Sequence, residues 1–136
     1  YLGIETGSEE LSRFINKPGT PADALAAVHL LHRSGLAVGV VILLGVGGEA
    51  FDSDHVAGTA ALLNDMELTG DDMIYFSPMI EEDGLPYSAA MDALGSARLS
   101  EQAIVRQQQA IEEKLELPPW PEGPKRSRYD IQQFVY

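Results

Sequence analysis

Apolar residues in the first 80 positions follow two spacings, one typical of strands and the other of helices. The run 37–44 is rich in β-branched residues and apolar at nearly every position, which predicts a parallel strand covered on both faces. Shorter apolar runs at 2–4 and 73–76 predict two further strands, the second ending at Ser77-Pro78.

Capping residues mark where the intervening helices begin. Ser8 precedes two glutamates, and Thr20 precedes Pro21, a residue favoured in the first helical turn, so a helix is predicted after each. A third helix is predicted over roughly 53–66 and a long fourth one over 98–115.

The order of these elements is strand, helix pair, strand, helix, strand. This alternation predicts right-handed βαβ crossovers and a parallel sheet, and so an α/β fold. Because three strands make a poor closed domain, we expect further strands upstream. The four prolines of 117–124 predict an extended connector, while 81–83 predicts an acidic turn and 129–136 a short docked segment.

Charge is distributed unevenly along a chain of net charge −12. Residues 1–97 hold 15 acidic and 3 basic side chains, so the body repels phosphate backbones and we expect no nucleic-acid partner. The longest apolar run is too short to span a bilayer, and we expect no membrane partner. The absence of cysteine excludes disulfides, and the cytoplasm is the default location.

Polar residues or glycines follow each predicted strand. The first strand runs into Glu5-Thr6-Gly7, the second into Gly45-Val46-Gly47-Gly48-Glu49, and the third ends at Ser77. Because the carboxyl ends of parallel strands meet at one edge of the sheet, we expect a ligand site there.

Two interpretations of these strand ends remain open. Glu5 either accepts hydrogen bonds from the amides of the following helix or binds hydroxyl groups of a ligand. The glycines at 45, 47 and 48 either make a simple turn or let the backbone approach a ligand and bind it through amides. A glycine-rich loop after a strand is common in α/β proteins and indicates a site only weakly.

Lys17 follows Glu5 by twelve residues and is one of the few basic groups in the acidic body. Two interpretations of Lys17 remain open: it contacts an anionic ligand, or it is a solvated surface lysine. His29 and His32 lie three residues apart on a predicted helix, and His55 lies near two aspartates. We expect His29 and His32 to form a solvated surface pair, and we expect none of the three histidines to bind a metal.

Three stretches, taken in order, resemble the radical S-adenosylmethionine (SAM) superfamily: Gly3-Ile4-Glu5-Thr6-Gly7-Ser8-Glu9-Glu10-Leu11, Ile15-Asn16-Lys17 and Ile42-Leu43-Leu44-Gly45-Val46-Gly47-Gly48. The resemblance implies strands four to six of a (β/α)6 partial TIM barrel over residues 1–90. Residues 91–136 would then form a C-terminal helix and a Pro-rich tail. Members of the superfamily hold a [4Fe–4S] cluster through a CxxxCxxC loop and cleave SAM reductively, which starts radical chemistry on a substrate.

The resemblance also implies a cofactor-binding role for several residues. Glu5, with Thr6 beside it, matches the residue that binds the ribose hydroxyls of SAM. Lys17 matches a basic position that reaches the methionine carboxylate of SAM.

The glycine motif beside the adenine is matched by Gly45, with Leu43 and Gly47 around it, and Ser77 lies where the sixth strand approaches the site. This stretch departs from the family's GxIxGxxE form, because Val41 replaces the first glycine and Gly48 the glutamate.

Without cysteines the chain alone holds neither the cluster nor any other cofactor. We therefore expect it to be inert when the N-terminal half of its parent protein is missing. The substrate of that parent is not identified by the sequence. One alternative is a non-catalytic half-barrel that serves as a binding or structural module; another is an unrelated (β/α) enzyme fragment with a phosphate-binding glycine loop. Exposed strand edges predict that the fragment forms homo-oligomers.

Overall fold

A computed structural model describes residues 1–80 and 84–128. Within these ranges the chain forms four strands, β1 (Leu2–Glu5), β2 (Gly39–Leu44), β3 (Met73–Pro78) and β4 (Lys125–Arg128). It also forms five helices, α1 (Glu9–Phe14), α2 (Pro21–Arg33), α3 (Gly48–Asp65), α4 (Pro86–Leu94) and α5 (Glu101–Glu113). The predictions for 81–83 and 129–136 lie outside the described residues.

The four strands form one parallel sheet in the order β1-β2-β3-β4, which confirms the predicted α/β class and parallel sheet. Pairing between β2 and β3 is continuous, from Gly39 opposite Met73 to Leu44 opposite Pro78. Pairing between β1 and β2 shifts register after Gly3. Each strand therefore lies beside its neighbour in sequence, and all the carboxyl ends lie at one edge.

The main core lies between the sheet and three helices. Val40, Ile42 and Phe76 point from the sheet into this core and are fully buried. Residues from α2, α3 and α5 pack against them, among them Val28, Leu63 and Ile111. Alternate positions of β2, at residues 41 and 43, are only half buried, which differs from the predicted cover on both faces.

The predicted helix starts at Ser8 and Thr20 are confirmed. The Ser8 hydroxyl accepts the amide of Leu11, and Thr20 forms a capping box with Asp23. Such reciprocal contacts satisfy amides that have no partner within the helix. The sequence pattern therefore located these helix starts correctly.

Three other elements differ from the prediction. Helix α3 begins at Gly48, five residues before the predicted start, and α5 is shorter than predicted at both ends. Helix α4 was not predicted. Its N-cap residue is Leu85, which makes no side-chain capping bond, so the sequence shows no capping residue at this helix start. Strand β4 was not predicted either, because its sequence KRSR shows no apolar alternation.

In the described part of the chain, no helix combines the length and the apolar composition needed to cross a membrane.

Candidate functional site

The predicted strand-end residues lie on adjacent parallel strands. Glu5 pairs in register with Ile42 of β2, and Leu43 of β2 pairs with Ser77 of β3. Gly45 follows β2 directly, so the polar end of β1, the glycine loop and Ser77 share the carboxyl edge of the sheet. This is the edge at which parallel α/β folds bind ligands.

Glu5 has an uncommon backbone conformation for a residue with a side chain. Its φ is +64°, and the amide of Thr6 donates to the carbonyl of Ile4 over 2.8 Å. Together these features form a γ-turn centred on Glu5, of the rare and strained positive-φ kind. A side chain in the left-handed region costs about 1–2 kcal/mol, and strain of this order concentrates at functional sites.

The Glu5 carboxylate lies over Gly3 and pairs with Lys17. Its Oε1 is 3.2 Å from the Lys17 Nζ, and about a quarter of each side chain remains exposed. A Cβ at Gly3 would lie 2.5 Å from the same oxygen, so the absence of a side chain at Gly3 makes room for the carboxylate. The pair is stabilising by at most about 1 kcal/mol, because it is reached by solvent.

This arrangement excludes one of the two interpretations of Glu5. Within the described residues, the side chain that caps α1 is the hydroxyl of Ser8. Glu5 instead makes an ion pair with Lys17, which follows α1. The interpretation in which Glu5 caps its own helix is therefore wrong. Lys17 is partly exposed and lies beside Glu5.

The two residues after Glu5 are attached to α3 by hydrogen bonds. The Thr6 hydroxyl accepts the amide of Ser8 over 3.0 Å and lies 2.8 Å from Nδ1 of His55. The amide of Gly7 donates to the hydroxyl of Thr59 over 3.0 Å. Thr6, His55 and Thr59 are almost fully buried, so these bonds are shielded from water.

A close approach of two glycines accompanies these hydrogen bonds. A Cβ placed on Gly58 of α3 would lie 2.8 Å from the carbonyl oxygen of Gly7, and a Cβ on Gly7 would collide with the carbonyl of Gly58. Only residues without side chains allow the two backbones to come this near. The loop that follows Glu5 is thus in direct backbone contact with α3.

His55 is completely buried. Burial lowers its pKa to about 4, and its Nε2 makes no hydrogen bond in the described structure. The ring is consequently neutral at pH 7. The sequence did not indicate the contact between His55 and Thr6, because the two residues lie 49 positions apart.

The other two histidines also make contacts that the sequence did not reveal. His32 Nε2 lies 3.1 Å from the buried carboxylate of Asp72, and His29 Nε2 lies 3.2 Å from the Asp65 carbonyl. The predicted solvated pair is therefore wrong for His32. Among the described residues, no three His, Cys, Asp or Glu side chains are grouped as a metal site would require.

Amides of the glycine loop donate to side chains of later helices. The amide of Gly45 donates to Oε1 of Gln107, and the amide of Gly47 donates to the hydroxyl of Tyr87, each over 2.8 Å. Gln107 is itself fixed, because its Nε2 donates to Asp52 over 2.6 Å. Neither Tyr87 nor Gln107 could be identified from sequence, since they lie 40 and 62 positions from their partners.

The next amides at the start of α3 also have partners within the chain. Gly48 donates to the Gly45 carbonyl, Glu49 donates to the Ala97 carbonyl, and Ala50 donates to the hydroxyl of Ser96. These bonds allow α3 to begin at Gly48, because they satisfy donors that a helix start normally leaves open. The amides at 45 and at 47–50 are thus occupied by the protein itself.

The remaining predicted residues lie at the apolar side of this edge. Leu43 packs against a small cluster of Leu11, Val46 and Phe51. Ser77, its neighbour in register, is half buried. The structure therefore brings Glu5 and Lys17 together as an ion pair, whereas the Thr6 hydroxyl contacts His55 of α3 and Leu43 lies beside a separate apolar cluster.

A scan against protein-family models gives no match. Over 59 residues, or 43% of its length, the chain is 37% identical to an uncharacterized protein of Methanopyrus kandleri. The match covers 11% of that relative, so the chain spans only a small part of the relative's length.

Proposed function

We propose that this chain is the C-terminal half of the partial barrel of a radical SAM enzyme. In this proposal Glu5 binds the ribose hydroxyls of SAM and Lys17 contacts its carboxylate. The observation that carries the proposal is the Glu5–Lys17 pair, which a strained γ-turn holds at the carboxyl edge of a parallel sheet.

The polar pair fits the chemistry of such a cofactor. A carboxylate is an acceptor for the two hydroxyl groups of a ribose, and a lysine ammonium is a donor for a carboxylate. Both groups are partly exposed, so a ligand can reach them without unfolding the loop. In this role Glu5 orients the ribose, and Lys17 fixes the charged end of the ligand.

The fit is weaker on the adenine side. The amides of Gly45 and Gly47 are engaged by Gln107 and Tyr87, so these two donors do not bind an adenine while those bonds persist. Leu43 offers apolar contact there. The contribution of β2 to adenine binding is therefore apolar rather than polar in this proposal.

The sheet order supports a partial barrel as the finer fold. Each strand lies beside the next in sequence, and helices α2, α3 and α5 pack on one face. Barrels have this sequential order, whereas doubly wound sheets reverse their strand order at a switch point. A SAM-bound cluster would supply the hydrogen-abstracting chemistry, and its cysteines would come from outside this chain, which has none.

The test is SAM binding by the full-length protein reconstituted with its cluster. Glu5→Gln keeps the size of the side chain but removes its charge, and Glu9→Gln makes the same change on the exposed first turn of α1. A hydrogen bond to a charged group is worth about 1.5–3 kcal/mol, so we expect Glu5→Gln to weaken binding roughly ten- to a hundredfold. Glu9→Gln is expected to bind as the wild type does, and cluster absorbance should be unchanged in both. Equal affinities of the two variants would contradict the ribose role.

One observation favours the alternative of a non-catalytic half-barrel module. The glycine-loop amides already have partners within the chain, as they would in a structural loop. The same bonds remove the donors that a phosphate-binding loop needs, so we do not retain that alternative. Failure of the full-length protein to assemble a [4Fe–4S] cluster would favour the non-catalytic module over the enzyme.

A further inference from the structure

We propose that Thr59 and His55 of α3 are positioning residues for the Glu5 carboxylate, so that ligand affinity at Glu5 is controlled from this helix. The ligand-binding role of Glu5 and the identity of the ligand, SAM, rest on the proposed function. The attachment itself is a property of this chain and can be tested without any ligand.

Strand pairing alone does not fix the position of Glu5. The register between β1 and β2 shifts between Gly3 and Glu5, which means that the regular ladder is interrupted where the carboxylate is placed. The positive φ of Glu5 is also an unfavourable conformation for a residue with a side chain. Contacts beyond the strand must therefore hold this turn in place.

Those contacts come from α3. Two successive residues after Glu5 are held, Thr6 by its 2.8 Å contact with His55 and Gly7 by the hydroxyl of Thr59. The backbone contact of Gly7 with Gly58 lies between these two attachment points. The loop is thereby fixed at both residues that separate Glu5 from the cap of α1.

The same helix also begins at the glycine loop. Helix α3 starts at Gly48, immediately after Gly47, and carries the attachment residues two to three turns later. A rigid helix of 18 residues thus sets the separation between the glycine loop and the Glu5 turn. A change in the attachment should therefore move Glu5 relative to the rest of the site.

The test compares two substitutions at one position. Thr59→Val keeps the shape of the side chain and removes the hydroxyl that accepts the Gly7 amide, whereas Thr59→Ser keeps the hydroxyl. In this chain we expect hydrogen exchange of the Gly7 amide to be roughly tenfold faster in Thr59→Val and close to wild type in Thr59→Ser. The carboxyl carbon resonance of Glu5 should shift in Thr59→Val only. His55→Phe should also shift the Glu5 resonance, because it removes the nitrogen that contacts Thr6.

In the full-length protein, Thr59→Val should weaken SAM binding roughly tenfold, and Thr59→Ser should restore it. Leu62→Ala, a core change on the same helix, is the control for general destabilisation; it should leave the affinity unchanged. Unchanged Gly7 exchange and Glu5 resonance in Thr59→Val would overturn the inference, as would an equal loss of affinity in Leu62→Ala. If the wild type binds no SAM, the proposed function fails, while the exchange and resonance measurements still decide whether α3 positions Glu5.

Discussion

Replacing Glu5 by glycine and by alanine separates backbone strain from the loss of its side chain. Both variants remove the carboxylate and its ion pair with Lys17, so that contribution cancels in the comparison. What remains is the cost of the backbone at φ +64°, which alanine bears and glycine does not.

The magnitude follows from two opposing contributions. The left-handed conformation costs alanine about 1–2 kcal/mol relative to glycine. Glycine loses more chain entropy on folding, which offsets about 0.4–1 kcal/mol of that advantage. We therefore expect Glu5→Gly to be the more stable variant by about 0.8 kcal/mol, a reversal of the usual order within strands.

Urea denaturation of the two variants measures this difference, with Arg106 as the matched control site. Arg106 is exposed in the middle of α5, where alanine should be more stable than glycine by about 1 kcal/mol. The two sites should thus give differences of opposite sign. If alanine were the more stable replacement at both, the γ-turn would not be strained and the argument for a held carboxylate would lose its basis.

Three further changes have defined expected outcomes. The pKa of His55 is lower in the folded state, about 4, than in the unfolded state, so its contribution to the free energy of unfolding is fully present above about pH 6.5 and is lost as the pH falls to about 4. We expect a total loss of about 3 kcal/mol, measured by urea titration across this pH range. This loss should be absent in His55→Gln. Gln107→Leu should lower the free energy of unfolding by about 1–3 kcal/mol, because the amide of Gly45 loses its acceptor, and amide exchange at Gly45 should accelerate; an unchanged denaturation midpoint would contradict this. Gly58→Ala should cost about 1–3 kcal/mol through its collision with Gly7, and a thermal midpoint equal to that of the wild type would show that the two backbones can separate freely.

Local signals in the sequence were enough for the main elements of the fold. Apolar runs located β2 and β3, and the capping residues Ser8 and Thr20 located two helix starts. Both kinds of signal act over a few residues, so they can be read along the chain. Strand β4 gave no such signal, because a charged edge strand need not alternate and is recognised only by its partner.

The site was predictable only in part, for a related reason. The strand ends located Glu5 and the glycine loop, because topology alone brings parallel carboxyl ends together. The neutral, buried state of His55 depends on an enclosure formed by distant segments. The γ-turn at Glu5 likewise could not be predicted from residue type, since glutamate seldom adopts a positive φ.

The contact between Tyr87 and the glycine loop has a consequence for how this protein could change. One phenolic oxygen occupies the amide of Gly47, and a phenylalanine at that position would expose the donor while keeping the ring. The presence or absence of this one oxygen atom therefore decides whether the Gly47 amide is available to an anionic ligand. Substitutions at the start of α4, far along the chain, can therefore change whether the loop after β2 binds a ligand.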